Sequence, residues 1–270
     1  MTIWQAIVLG VVQGITEFLP ISSSGHLVLV PRLLGWAIPA EQAFVFDVLV
    51  QLGTLMAVIV YFWKELLPMG RDMLLSLNPA RRGTVPHARL GWLLVLATLP
   101  AIAAGWLNQG RIQAAFGSLT ATGLFLFGTA VLLALAELVG HRQREMAELK
   151  WPEAIWIGAF QALSLFPGVS RSGSAIAGGM TRNLKRRQAA RFAFLMAVPV
   201  MIGAAALTLF NFSQLPDAGE LLAPILVGML TAALVGYWAI GWLMEFLSER
   251  NLFPFALYCV LAGFLAVFLG

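Results

Sequence analysis

Residues 44–63 read FVFDVLVQLGTLMAVIVYFW, an almost unbroken apolar run of twenty residues. About 20 apolar residues is what one α-helix needs to cross the hydrocarbon core of a bilayer. Comparable runs occupy 90–107, 119–139, 192–210 and 221–246, and a slightly shorter one occupies 253–269. Hydrocarbon offers no water to backbone amides, so such runs are expected to fold as helices. An all-α, polytopic membrane protein with six transmembrane helices is predicted. Composition agrees: 11% of residues are charged, 60% are hydrophobic and mean hydropathy is +0.84, whereas soluble domains carry about 25% charged residues. The runs are spread from end to end, so residues 1–270 are read as a single membrane domain without a soluble module. The opening MTIWQAIVLG has no basic region and no small-residue cleavage site, so a removed signal peptide is not expected. Cys259 is the sole cysteine, which excludes an intrachain disulfide and a cysteine-based metal site.

Two regions break the pattern. Apolar stretches at 3–19 and 154–166 are too short to span, and each runs into a cluster of Pro, Gly and Ser followed by a second short apolar piece. Non-helical backbone at membrane depth survives only when it is buried in protein or lines a watery cavity. Regions 3–40 and 152–182 are therefore expected to be re-entrant helix pairs with polar tips inside the membrane.

Charge orients these elements. With 64–89, 140–150, 181–191 and 247–252 assigned to the cytoplasm, those segments hold fourteen of the seventeen Lys and Arg residues. Arg32 and Arg111 are left outside, and Arg171 falls in the second tip. Basic cytoplasmic loops account for this bias, and explain a sequence pI near 9.7 without nucleic acid, which is not expected as a partner. Both termini are placed outside, with one re-entrant pair entering from each side. Shifting the sequence by 148 brings Ala6, Ile7, Gly10, Gln13, Phe18, Ser22, Ser24 and Gly25 onto Ala154, Ile155, Gly158, Gln161, Phe166, Ser170, Ser172 and Gly173. In the same register FVF at 44–46 meets FAF at 192–194. An inverted-topology repeat follows, with halves near 1–110 and 111–270; such repeats bring broken helices together near the midplane.

The two tips carry the chemistry. One supplies Glu17, Ser22, Ser23, Ser24 and His26; the other supplies Gly168, Ser170, Arg171, Ser172 and Gly173. Ionisable groups inside a membrane are costly and point to function. A structural Glu17–Arg171 ion pair would lock the halves together, but it leaves His26 and the serines unexplained. The set suits a phosphate ester or anhydride. Arg171 offers a planar donor fork to phosphate oxygens. Gly168 and Gly173 allow backbone amides to approach, and the helix N-termini beyond the tips add positive dipole. A serine needs a neighbouring base, and His26, three residues after Ser23, is the expected one, with Glu17 orienting it or acting itself. Gln13 lies one helical turn before Glu17 and is assigned to the same pocket.

These residues stand in QGITEFLPISSSGHL and PGVSRSGSAIAGGM, two long motifs that resemble the bacitracin-resistance type of undecaprenyl-diphosphate phosphatase. RRQAARFAFLMAVP adds support, and the resemblance covers the whole chain. It implies a multi-pass protein of the bacterial inner membrane whose active site opens to the periplasm. The implied reaction removes the terminal phosphate of undecaprenyl diphosphate, recycling the lipid carrier of peptidoglycan synthesis and conferring bacitracin resistance. By resemblance the working residues are Glu17, Ser22, Ser23, His26 and Arg171 with Ser170 and Ser172; Ser23 is the favoured nucleophile, with His26 and water left open. The resemblance also implies stimulation by a divalent cation, Mg2+ or Ca2+, although no metal ligand is assigned. Gln13 stands where many members have a second glutamate, which weakens a paired-carboxylate metal site. Ala175 stands where threonine is common, removing one phosphate donor. The expected partners are an isoprenoid diphosphate lipid and the bilayer; a homodimer is an option the sequence leaves open.

The main alternative is a lipid or small-molecule transporter or flippase, because inverted repeats with broken helices are frequent there. A Ser, His and Arg set is needed by a phosphatase and not by a carrier. Another class of membrane lipid phosphatase also has an SGH element, but needs an upstream Lys–Arg–Pro motif and a histidine after its SR motif. No Lys precedes His26, and SRSGSAIAGGM has no histidine. His87 and His141 lie in basic loops and are expected to be solvated. Trp4, Trp36 and Trp151 are expected at the membrane interface, and NLKRRQAAR beside anionic headgroups.

Overall fold

A computed structural model describes residues 1–81, 84–108, 110, 112, 115, 118–212 and 218–270, without the side chains of 40, 204–212, 218 and 220. Arg82 and Arg111 lie outside the described residues. Among the described residues the regular structure is helical, apart from an isolated bridge between Arg144 and Leu184.

The first two helices form a pair. Helix α1 (Ile3–Thr16) starts at Thr2, whose hydroxyl accepts from the Gln5 amide in a capping box. Helix α2 (Ser23–Leu33) follows a non-helical tip. At 1.5 Å per residue, the 14 residues of α1 and 11 of α2 reach only about 21 and 17 Å, short of the roughly 30 Å hydrocarbon core. Helix α3 (Ala40–Tyr61) ends at Phe62, and α4 (Trp63–Ser76) begins at the next residue. The expected span at 44–63 is thus one break too long, and the basic segment 64–89 is not all loop. Leu66, Leu67, Met69, Met73 and Leu74 recur at helical spacing within it; Met69 is buried, and Met69 and Met73 pack against α5 at Gly91. Helices α5 (Ala88–Leu107) and α6 (Leu119–Val139) complete the first six.

A second short pair follows. Helix α7 (Trp151–Ala162) carries Pro152 in its first turn, where a missing amide costs nothing. A 3-10 turn at Leu163–Leu165 and Gly168 lead into α8 (Arg171–Met180). Small residues dominate α8, and Ser172 through Met180 are all buried, so this helix has no lipid face. Then come α9 (Arg186–Phe212), α10 (Ala218–Glu249) and α11 (Phe253–Leu269).

Among the described residues four helices are long and apolar enough to cross a membrane, over Glu41–Tyr61, Ala88–Leu107, Leu119–Val139 and Leu221–Glu249. Helix α11 is apolar at 17 residues. Large apolar side chains point outward in quantity, among them Trp106, Leu138, Trp238 and Phe268, as expected where the surroundings are lipid rather than water. Trp4 and Trp151 are exposed and Trp36 partly so.

The packing has a regular form. Helix α1 lies on α10 and α7 lies on α5; α3 contacts α10 as α9 contacts α5, and α6 lies along α11. Gly10 lets α1 approach the Gly228 carbonyl, and Gly158, its counterpart under the 148-residue shift, lets α7 approach the Ala97 carbonyl; a Cβ at either would collide with backbone. At the end that carries the basic loops Glu137 is a clamp. Its carboxylate accepts from Arg186 Nε and Nη2, both at 2.7 Å, and from the Leu252 amide, and forms an ion pair at 3.1 Å with Arg142, whose Nη2 donates to the Glu137 backbone carbonyl, tying α6, α9 and the α10–α11 turn together.

Candidate active site

Both tips are built as helix N-caps. Ser22 caps α2 and its hydroxyl accepts from the Gly25 amide at 3.3 Å; Ser170 caps α8 and accepts from the Gly173 amide at 3.0 Å. Ser22 has φ of 71°, a region costly for a residue with a Cβ. The strain is offset by His26, whose backbone amide and Nδ1 both point at the Ser22 carbonyl, the ring at 2.7 Å. Gly168 has φ of 98° and sits where a Cβ would strike the Thr122 carbonyl. Thr129 fixes this turn, its hydroxyl donating to the Gly168 carbonyl and accepting from the Ser170 amide. The tips also touch directly, Ser172 Oγ donating to the Leu19 carbonyl at 3.2 Å.

Glu17 is the centre of the arrangement. It is 6% exposed, and its carboxylate accepts from three side-chain donors. Arg171 Nη2, from the other tip, donates to Oε1. On the second oxygen, Ser23 Oγ donates at 2.5 Å and Gln13 Nε2 at 3.0 Å. Gln13 also reaches Thr54 Oγ1 at 3.5 Å, and Arg171 Nη2 lies 3.2 Å from the Met201 sulfur. Ser22 and Ser24 pair through their hydroxyls at 3.3 Å, as Ser170 and Ser172 do at 3.2 Å. Glu17, Ser23, Ser24, Gln161 and Arg171 border a cavity of about 210 Å³ whose other walls are largely apolar. That is below the roughly 300–1,000 Å³ of pockets that engulf a whole drug-sized ligand; it suits a head group. A larger cleft of about 720 Å³, between α6 and α11, has Asn251 as its one polar wall residue and holds none of this chemistry.

The structure does not bring His26 to Ser23. A carbonyl can only accept, so His26 Nδ1 carries a hydrogen toward Ser22, and in the neutral ring Nε2 is the acceptor, 2.7 Å from Tyr258 OH. Tyr258 also stacks on the imidazole, with ring centroids 5.5 Å apart. Both nitrogens are engaged, and the hydroxyl of Ser23 goes to the carboxylate. The expected Ser23–His26 pair is thus replaced by Ser23–Glu17, while Glu17, Arg171, Gln13 and Ser23 come together as expected. Ser22, Ser170, Ser172, Gly168 and Gly173 shape the two tips rather than the cavity wall. Tyr258 had no signal in the sequence, being one hydroxyl in an apolar run 232 residues from His26. Gln161 did: it is the partner of Gln13 under the 148-residue shift.

His87 and His141 are exposed, as expected for loops. The His87 backbone amide and ring hold the Asp72 carboxyl below its ordinary range, and His141 pairs with the Asn183 side chain. Among the described residues no three His, Cys, Asp or Glu side chains cluster as a metal cage. The oxygen donors at the site are Glu17, whose two oxygens already accept from cationic and neutral donors, the unpaired Oε1 atoms of Gln13 and Gln161, and the neutral side chains of Ser23, Ser24, Ser164 and Gln51. The carboxylate of Glu17 is already taken by Arg171, Ser23 and Gln13, and among the described residues no cluster of acidic side chains joins it, so this donor set does not fit a resident dication.

The sequence matches the family model described as bacitracin resistance protein BacA over residues 6–265. It is 36% identical over 279 residues to an undecaprenyl-diphosphatase of Methanosphaera stadtmanae, covering 100% of this chain and 99% of that one. An undecaprenyl-diphosphatase of Chlorobium phaeovibrioides is 37% identical, with 100% and 97% covered. One from Pelobacter propionicus is 41% identical over 268 residues, with 97% and 95% covered. With both tips, their interlocking contacts and nearly the whole length inside these matches, the chain belongs to the bacitracin resistance protein BacA family.

Proposed function

We propose that this protein hydrolyses undecaprenyl diphosphate to undecaprenyl phosphate and inorganic phosphate, recycling a lipid carrier and so contributing to bacitracin resistance. The observation that carries the reading is Arg171 of one tip closed on Glu17 of the other, with Ser23 on the second oxygen of the same carboxylate. In this mechanism the diphosphate enters the cavity and takes Arg171 as its donor fork, while the isoprenoid stays in lipid. Glu17 accepts the Ser23 hydroxyl proton as Oγ bonds to the terminal phosphorus. The bond from phosphorus to the bridging oxygen breaks, and isoprenyl monophosphate leaves with the electron pair and the proton held by Glu17. Water then attacks the phosphoserine, giving its proton to Glu17; the P–Oγ bond breaks and that proton returns to Ser23. One water is consumed and one phosphate released. The N-termini of α2 and α8 favour the anion throughout. His26 is a positioning residue here, holding the strained Ser22 carbonyl against Tyr258. A divalent cation, where it stimulates the reaction, would neutralise charge on the diphosphate itself, and every residue role above stands without it.

The architecture is read as an inverted repeat with two re-entrant pairs, α1/α2 and α7/α8, and halves at 1–110 and 111–270. The exchanged packing of α1 on α10 and α7 on α5, and the matching serine caps, support it. The site opens to the periplasmic face of the inner membrane, a placement supported by the fourteen Lys and Arg residues of the other side's loops. The test is phosphate release by purified protein from long-chain isoprenyl diphosphates in detergent. No second compartment exists there, so release cannot be transport; absence of release would sink the hydrolase reading. Reporters fused after residue 150 and within 182–190 should read cytoplasmic, and a periplasmic signal from the latter would sink the inverted repeat.

A further inference from the structure

Gln161 is 1% exposed, and neither its amide nitrogen nor its amide oxygen has a hydrogen-bond partner. It stands in the wall of the cavity that Glu17, Ser23 and Arg171 border. Its counterpart Gln13 differs sharply: there the amide nitrogen is tied to Glu17 at 3.0 Å. Local chain geometry does not leave Gln161 idle by accident. Helix α7 is seated on α5 at Gly158 and Ala97, and packs on α8. The Ser164 hydroxyl holds the Gln161 carbonyl at 2.7 Å, so the backbone beneath the side chain is fixed. A buried amide with nothing to bond destabilises the fold, and such groups in native proteins call for an explanation.

We propose, resting on the diphosphatase reading, that Gln161 is a catalytic residue that holds the attacking water against the terminal phosphoryl group. The chemistry of the amide dictates the division of labour. Ionised phosphoryl oxygens, on the diphosphate and then on phosphorylated Ser23, only accept, so they take the Nε2 hydrogens. The Oε1 atom needs a donor, and water is the donor the reaction itself consumes. One side chain thereby contacts both reactants of the hydrolytic step. Glu17 takes the proton of that water as its oxygen bonds to the phosphorus carried by Ser23, the P–Oγ bond breaks and the proton passes to Ser23 Oγ; Gln161 transfers nothing, it aligns. Arg171 and Ser23 supply charge and nucleophile from the two tips, whereas Gln161 approaches from the α7 side of the cavity.

The substitution Gln161→Leu separates this role from a structural one. Removing an amide that has no protein partner should leave the melting temperature of the purified protein unchanged or raise it. Phosphate release from a long-chain isoprenyl diphosphate should nevertheless fall about 10- to 150-fold in kcat/KM, the value of a hydrogen bond to a charged group, with the loss mostly in kcat. A methylene-bridged isoprenyl diphosphonate, which cannot be hydrolysed, should raise the melting temperature of the wild type more than that of Gln161→Leu. Gln161→Met is the second variant, with similar volume and flexibility. Normal turnover in both variants overturns the inference. A lowered melting temperature in both also overturns it, because an amide with no partner has no bond to lose. A wild type that releases no phosphate overturns the diphosphatase reading and this inference with it; a working wild type beside working variants overturns the inference alone.

Discussion

Arg171→Lys keeps the charge at the second tip and changes only its shape. In the resting site one guanidinium nitrogen serves Glu17 and lies 3.2 Å from Met201, and the side chain is 20% exposed on the cavity side of the pair. A lysine still reaches Glu17 as a point charge, so no buried carboxylate is left without a cation and the fold should hold. What is lost is the planar fork that can meet two phosphate oxygens at once. A hydrogen bond to a charged group contributes about 1.5–3 kcal/mol. Removing one of two therefore predicts a loss of roughly 10- to 150-fold in kcat/KM, at 1.36 kcal/mol per decade. The assay is phosphate release in detergent from long-chain isoprenyl diphosphate, run beside thermal unfolding of the same preparation. A variant with nearly wild-type kcat/KM would refute the reasoning and leave Arg171 a structural partner of Glu17. A variant that is inactive because it has unfolded would show that the fork, not the charge, holds the two tips together.

Ser23→Ala and Glu17→Gln should each cut turnover by orders of magnitude, and the double variant should be little worse than the poorer single, because a nucleophile and its base act as one unit; multiplicative losses would contradict the pairing. His26→Ala should be distinguishable from both, with residual turnover that Tyr258→Phe lowers by a smaller factor, since His26 supports the Ser22 turn; full inactivity of His26→Ala in a stably folded protein, with Ser23→Ala active, would make the imidazole the attacking or basic group. Glu137→Ala leaves two arginines and the Leu252 amide without their shared carboxylate and should cost about 3–5 kcal/mol of stability. It should leave kcat of the folded protein near normal, as measured by thermal unfolding and turnover at low temperature.

The apolar runs at 90–107, 119–139 and 253–269 needed no tertiary information to be read as helices, because in hydrocarbon the backbone has no other way to satisfy itself. The Gln13, Ser22, Ser24 and Gly25 matches to Gln161, Ser170, Ser172 and Gly173 were equally legible, since a repeat preserves residue type at fixed spacing. Helix α4 was hidden by Lys64 and Arg71: charges that orient a loop sit just as well on the outer face of an interfacial helix, and only its apolar spacing betrayed it. Who answers Ser23 could not be read along the chain. Ser23 and His26 stand three apart in sequence and would share a helical face. The left-handed turn at Ser22 and the arrival of Tyr258 from α11 draw the imidazole away, and Glu17 meets Ser23 across the bend. Spacing fixes neighbours within one helix. Contacts among α1, α2, α8 and α11 depend on how the helices cross, which Gly10, Gly158 and the interlocked tips decide together. The same holds for Gln161, whose residue type the repeat exposes but whose unpaired amide arises only once α7 is seated beside the cavity.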